Sequence, residues 1–267
     1  AVQAFFALPH EAKLRYDGSA IAGQRGYTPP FREKAKDAQT PDIKEFYHVG
    51  QELPEGHEFR GTPSYPDNIF PDAHVADFRP ATTEAYRRLE HAGRQLLRAI
   101  ALFLELDETY FEDKVEGGNS ILRPLHYFPI DNPDALPPDA VRAAAHEDIN
   151  LITLLMGASA EGLEVLRRDG TWLAVTAVPE AVVVNVGDML QRLTNNRLRS
   201  TTHRVVNPPR ALMHTSRFSI PFFMHPRSDM DLTCLPACIT EANPKSYPDA
   251  TAGEYLTERL RELGLLA

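Results

Sequence analysis

The sequence predicts an α+β protein that is mainly β: a jelly roll braced by one long helix and closed by a short C-terminal one. Three observations lead there. Short β-rich runs separated by turn residues fill the second half of the chain, at 149–156, 161–165, 171–175, 181–186, 201–206 and 217–223. Apolar residues recur at steps of three or four across 82–111, the signature of one helical stripe. The residues with the most chemical potential, His146, Asp148, His203, Arg217 and Ser219, sit on or beside predicted strands of one antiparallel array, which a jelly roll would gather inside its barrel.

Taken in order, 18–40 is loop-like, and Asp-Ile-Lys-Glu-Phe-Tyr-His-Val at 42–49 reads as a strand. In the long helix Ala85, Leu89, Ala92, Leu96, Ile100 and Phe103 form the apolar stripe, so it should brace the sheet from outside with Arg87, Arg88 and Arg94 on its solvated face. The apolar run 149–156 is entered directly from His146-Glu147-Asp148, which places that pair at a strand's mouth, at i and i+2, facing one way. Asp169-Gly170 is a hairpin turn between 161–165 and the return strand 171–175. Asp188, after Gly187, reads as a turn or helix cap, and 251–265 as the amphipathic closing helix.

At 267 residues and 43% hydrophobic content the chain can bury a sizeable core as one domain spanning 1–267, with a helical supporting region at 1–115, a jelly-roll core at 116–240 and the C-terminal helix at 241–267. A net charge of −9 and a pI near 5.6 argue against nucleic acid as partner. No apolar stretch is long enough to cross a membrane. The two cysteines, Cys234 and Cys238, are too few for a disulfide scaffold and read as thiols of a reducing cytoplasm. Oligomeric state leaves no mark in the sequence.

Two imidazoles and one carboxylate on one face of a metal hold non-haem Fe(II) while leaving positions open for O2 and an organic ligand. His146, Asp148 and His203 supply that set, and Arg217 and Ser219, two apart on a strand, share a face from which they can clamp one carboxylate. With ten histidines in the chain the triplet alone is weak, since a lone buried His is usually a hydrogen-bonded core residue; its strand context raises it. His126 and His225 are not needed as ligands, because a fourth group would close a position that oxygen chemistry requires. Arg204 is expected in a structural salt bridge, and Glu147 at the surface or the pocket rim.

The order of motifs resembles the isopenicillin-N-synthase-like branch of the Fe(II)/2-oxoglutarate dioxygenases. The matching parts are His146-x-Asp148, Gly162-Leu163-x-Val165, Asp169-Gly170-x-Trp172, Val184-Asn185-Val186-Gly187-Asp188, Thr194-Asn195, Ser200-Thr201-x-His203-Arg204-Val205 and Arg217-x-Ser219, and the resemblance covers nearly all of the chain. It implies a double-stranded β-helix, His146, Asp148 and His203 as iron ligands, and Arg217 and Ser219 on the far carboxylate of 2-oxoglutarate. The segment 122–129 resembles a family strand and makes Tyr127 a further co-substrate contact. Leu125 departs from the family pattern, which often has a hydrogen-bonding Asn there. Ala4–Pro9 resembles a segment that lies some way into family members, so an upstream piece is expected to be missing.

The resemblance further implies an enzyme that uses Fe(II), O2 and 2-oxoglutarate to hydroxylate, desaturate or cyclise a small organic molecule, releasing succinate and CO2. Arg123, Phe223 and His225 are the expected substrate-lining residues. Arg123 would favour an anionic substrate unless it belongs to a structural ion pair. Two alternatives stay open: an Fe(II) oxidase of the isopenicillin N synthase type that does not use 2-oxoglutarate, and a non-catalytic metal-binding jelly-roll protein.

Overall fold

Two antiparallel sheets pack against each other and carry the candidate site between them. In this computed structural model the described residues are 1–21, 23–33, 40–63, 65–137, 140–157, 161–176 and 180–262. The chain runs through α1 (Val2–Phe6), α2 (His10–Leu14), β1 (Gly26–Thr28), β2 (Glu45–Gly50), the long α3 (Phe78–Phe103), α4 (Glu112–Val115), β3 (Ile121–Leu122) and β4 (Leu125–Tyr127). It continues through β5 (Ala143–His146), β6 (Ile152–Met156), β7 (Leu163–Leu166), β8 (Trp172–Ala174), β9 (Val182–Val186), α5 (Asp188–Leu193), β10 (His203–Val205), β11 (Arg217–Met224) and α6 (Ala252–Glu262).

The larger sheet has the order β1-β2-β3-β11-β6-β9, with β4 also paired to β2 and β11; the smaller has the order β5-β10-β7-β8. The β-rich runs of the second half thus divide between two sheets and do not form one array. Periodicity reveals strands but not their partners. The sheets meet through Phe46, Leu125 and Tyr127 on one side and Ala143, Val205 and Leu163 on the other.

Strand β11 shows how sequence alternation builds this arrangement. Arg217, Ser219 and Phe223 point toward the smaller sheet, whereas Phe222 and Met224 are fully buried in the main core with α3. The expected hairpin is present: β7 and β8 pair antiparallel with Glu164 opposite Ala174, and Gly170 takes the left-handed φ of 82° that its turn needs. The family-like segment 122–129 is two short strands, because Arg123-Pro124 interrupts it and proline cannot donate to a ladder.

Three further expectations are corrected. The 18–40 stretch contains β1, paired with β2 through Tyr27 opposite Tyr47; residues 22 and 34–39 of that stretch lie outside the described residues. The helix runs 78–103 rather than 82–111, and its buried face is Phe78, Thr82, Tyr86, Leu89, Gly93, Leu97 and Ala101, so Ala92 and Phe103 are exposed. The stripe is centred on Gly93, where a Cβ would lie 2.5 Å from Met224 Sδ, so a side chain there would have to displace the Met224 thioether that packs against the helix. Arg87 and Arg88 are solvated, but Arg94 is partly buried and ties α3 to α4 through Glu112 at 3.3 Å and to Glu116 just beyond it at 2.7 Å. The closing helix is observed over 252–262, and residues 263–265 of the expected range lie outside the described residues.

This contact gives a stability prediction. Gly93→Leu should overpack the helix–sheet contact and lower stability by about 1–3 kcal/mol, whereas Ala92→Leu on the exposed face should change it by under about 0.5 kcal/mol. Urea midpoints of the two variants measure the difference, and equal midpoints would place the helix face elsewhere.

Candidate metal centre and its cleft

His146 ends β5 and His203 begins β10, and the ladder sets them directly opposite each other, with ring centroids 4.4 Å apart. Asp148 lies beyond the end of β5, in the connection that carries the chain from the smaller sheet into β6 of the larger one. Contrary to expectation, His146 and Asp148 do not share the mouth of the 149–156 strand: the two residues flank a crossing between sheets. Even so, one ligand atom from each of His146, Asp148 and His203 lies within 4.8 Å of the others.

Each group is oriented by a neighbour. His146 Nδ1 donates to the Ala144 carbonyl at 2.7 Å and His203 Nδ1 to the Thr201 carbonyl at 3.0 Å; a carbonyl can only accept, so both rings keep Nε2 as a lone-pair donor. Asp148 Oδ2 accepts from Thr153 Oγ1 at 2.6 Å and Asn185 Nδ2 at 2.8 Å, which leaves Oδ1 facing His203 Nε2 at 3.8 Å. Burial lowers the His146 pKa, which keeps that ring neutral and able to ligate. Burial pushes the Asp148 carboxyl up, but the two imidazoles and the bonds from Asn185 and Thr153 outweigh it and hold the group ionised. Two imidazoles and one carboxylate with their free atoms converging are the donor set that suits a divalent iron with positions left open.

The turn after β9 fixes the crossing. The Asp188 amide donates to the Asp148 carbonyl at 2.7 Å and the Gly187 amide to the Leu151 carbonyl at 2.9 Å. A Cβ on Gly187 would sit 2.2 Å from the Asn150 carbonyl oxygen, so only glycine permits this approach. Asp188 is therefore more than a turn residue: it opens α5, its Oδ2 accepts from Tyr255 at 3.2 Å and it lines the cleft.

Arg217 and Ser219 project from β11 and are 1% and 3% exposed; an Arg217 Nη donates to Ser219 Oγ at 3.3 Å. Tyr127, opposite Arg217 in the β4–β11 ladder, places its ring 4.9 Å from the guanidinium carbon. Leu125 is buried opposite Ser219 and offers no hydrogen bond.

A cleft of about 650 Å³ opens beside His146 and Asp148, lined among others by Lys44, His48, Arg123, Phe223, His225 and Asp188, and His203, Tyr127, Arg217 and Ser219 are not on its wall. All three expected substrate-lining residues are on its wall. Arg123 packs between Phe46 at 4.6 Å and Phe223 at 4.9 Å, donates to His48 Nε2 at 2.6 Å and pairs with Glu33 at 3.4 Å. Lys44 bridges Glu33 and Asp42, each at 2.7 Å, and Asp42 accepts the Ala144 amide at 2.9 Å, joining the network to the strand that carries His146. The Arg123 and Lys44 charges overcome burial and hold Glu33 ionised, and burial pushes His225 down to about 4, so it is neutral at physiological pH. The remaining polar expectations resolve plainly. His126 is structural, bonded to Glu45 at 2.7 Å and stacked on Phe218; Arg204 pairs with Glu164 at 2.8 Å; Glu147 is exposed at the rim and accepts from Thr202.

Sequence reasoning missed Thr153, Asn185, Lys44, Glu33 and His48. Asn185 was inside a quoted motif and Lys44 inside a predicted strand, but Glu33 carries no local signal at all.

With this geometry in place, comparison with known proteins is decisive. The family model of the 2OG-Fe(II) oxygenase superfamily matches residues 119–226, and that of the non-haem dioxygenase in morphine synthesis N-terminal region matches 1–73. A 2-oxoglutarate-Fe(II) type oxidoreductase, hxnY of Emericella nidulans, is 33% identical over 96% of this chain and 73% of its own length. Among solved structures, a 2OG-Fe(II) oxygenase family protein from Caulobacter crescentus has a TM-score of 0.87 at 48% identity, covering 98% of this chain and 83% of that one. A full-length Neurospora crassa protein solved in complex with alpha-KG has a TM-score of 0.83 at 33% identity, covering 97% and 80%. The chain belongs to the 2OG-Fe(II) oxygenase superfamily. It is a 2-oxoglutarate- and Fe(II)-dependent oxidoreductase with the double-stranded β-helix of that family, and among the described residues no helix is long and apolar enough to cross a membrane.

The orienting bonds give a graded prediction. Asn185→Ala should weaken metal binding about 10–100-fold with the fold intact, and His203→Ala should abolish it. Anaerobic Fe(II) titration with circular dichroism on the same samples reads both; full occupancy in His203→Ala would remove that residue from the centre.

Proposed function

We propose that His146, Asp148 and His203 hold the iron, that Arg217, Ser219 and Tyr127 receive 2-oxoglutarate, and that Arg123, Phe223 and His225 face a small, uncharged organic substrate. The observation that carries the metal assignment is the convergence of three preoriented donor atoms, each with its other polar atom already engaged. Iron with 2-oxoglutarate and O2 supplies the oxidising chemistry, in which a substrate C–H bond is cleaved and succinate and CO2 are released. The protein's part is placement. Arg217 offers a planar fork to a carboxylate, with Ser219 beside it, both buried.

The substrate's charge follows from the cleft. Arg123 and Lys44 are matched by Glu33 and Asp42, and His48 and His225 are held neutral by burial. This part of the wall is polar and balanced, so it provides hydrogen bonds and aromatic faces and offers no unmatched cation to an anion. The Neurospora crassa relative has also been solved in complex with thymine, and hxnY is named as an oxidoreductase of the same co-substrate type; both support a small molecule here and neither names it. The oxidase alternative and the non-catalytic alternative are set aside by relatives that are 2-oxoglutarate enzymes. Two free, buried thiols fit a reducing cytoplasm as the place of action.

Purified protein given Fe(II), ascorbate and O2 should convert 2-oxoglutarate to succinate, and Arg217→Lys, which keeps charge but loses the fork, should weaken co-substrate binding by about 1–3 kcal/mol. Phe223→Ala should keep slow, uncoupled succinate formation while losing turnover of substrates found by a metabolite screen. Loss of Fe(II) or 2-oxoglutarate binding in Phe223→Ala would instead assign that ring to the inner site.

A further inference from the structure

Arg142, immediately before β5, is one of the most deeply buried side chains in the protein, at 1% exposure. Its Nη2 donates to the Thr215 carbonyl at 2.8 Å, and its Nε, also buried, has no partner. Among the described residues no carboxylate forms an ion pair with it. Its charged neighbour is instead another cation, Arg217: the two guanidinium carbons lie 6.0 Å and 4.9 Å from the centroid of the same Tyr127 ring. Burial and the Arg217 charge both lower the Arg142 pKa, as expected for two like charges brought together out of water. A buried guanidinium with an unbonded N–H and a cationic neighbour is costly unless an anion completes it. Lys44 and Arg123 on the cleft wall do not have this character, since they are matched by Glu33 and Asp42.

Resting on the co-substrate reading above, we propose that Arg142 is a second cation for the distal carboxylate of 2-oxoglutarate. Arg217 reaches that carboxylate from the larger sheet, and Arg142 reaches it from the start of the smaller one. The Leu125 position contributes no hydrogen bond at this site, so affinity for the dianion rests on charge supplied from two sides. Arg142 is a binding residue for the co-substrate and has no part in the chemistry at the metal. The bound carboxylate would also bridge the two sheets, so its arrival would stiffen the barrel near β5.

The test is anaerobic calorimetry on the Fe(II)-loaded protein with two 2-oxoacids: 2-oxoglutarate, and 2-oxovalerate, which lacks the distal carboxylate. In Arg142→Gln, 2-oxoglutarate affinity should fall about tenfold or more while the weak affinity for 2-oxovalerate stays unchanged, so the preference between the two collapses. Arg142→Lys should show a smaller fall in the same ratio, and it decides the matter if the Gln variant does not fold. The stabilisation of the wild type by 2-oxoglutarate in thermal unfolding should shrink in parallel. An unchanged preference in the folded variant, or equal losses for both acids, would make Arg142 a structural support for Thr215 and overturn the proposal. If the wild type shows no preference for 2-oxoglutarate over 2-oxovalerate, the co-substrate reading itself fails, which is a different result from an unaffected variant.

Discussion

The short backbone bond between the Asp188 amide and the Asp148 carbonyl governs the centre. It holds the β9–α5 turn against the crossing between sheets, and only the missing side chain of Gly187 allows the approach. From that contact the rest follows: Asn185 is brought beside Asp148, one carboxylate oxygen is committed, and the other is left toward His203. The larger sheet thereby delivers the carboxylate to two imidazoles mounted on the smaller sheet. A metal held there joins the halves of the fold that backbone hydrogen bonds leave separate.

How much of this was legible in the sequence varied with the kind of signal. Strands bounded by Gly, Pro and Asp-Gly were readable because turn chemistry is local, as the β7–β8 hairpin illustrates. The triad was readable although His203 lies far along the chain from His146, because residue types and their order survive in one dimension. The division into two sheets was not, since alternation marks a buried face without naming what covers it. The α3 stripe was centred one residue early, at Ala92, because counting apolar residues gives no weight to a glycine, and Gly93 is where the helix packs against Met224 of β11.

The polar wall was the least legible part. Glu33, Lys44, Asp42, Arg123 and His48 come from separated stretches, and each alone reads as a surface charge or a core histidine. Together they form a neutral network whose members restrain one another. Arg123 could not be assigned from its own position, because whether a buried arginine attracts a ligand or is already satisfied depends on a carboxylate far away in sequence. Arg142 shows the opposite outcome, a buried arginine that among the described residues has no carboxylate partner.

Trp172, the sole tryptophan of the chain, lies on β8 with the Arg204 guanidinium stacked on its ring at 3.9 Å. Arg204 is the immediate neighbour of His203 and is also held by Glu164 on β7. Indole emission is sensitive to a cation on its face, so this protein carries an intrinsic optical reporter in contact with the residue next to His203 of the candidate metal centre. Its signal comes from the smaller sheet alone, which lets events on that half of the barrel be followed without introducing a label.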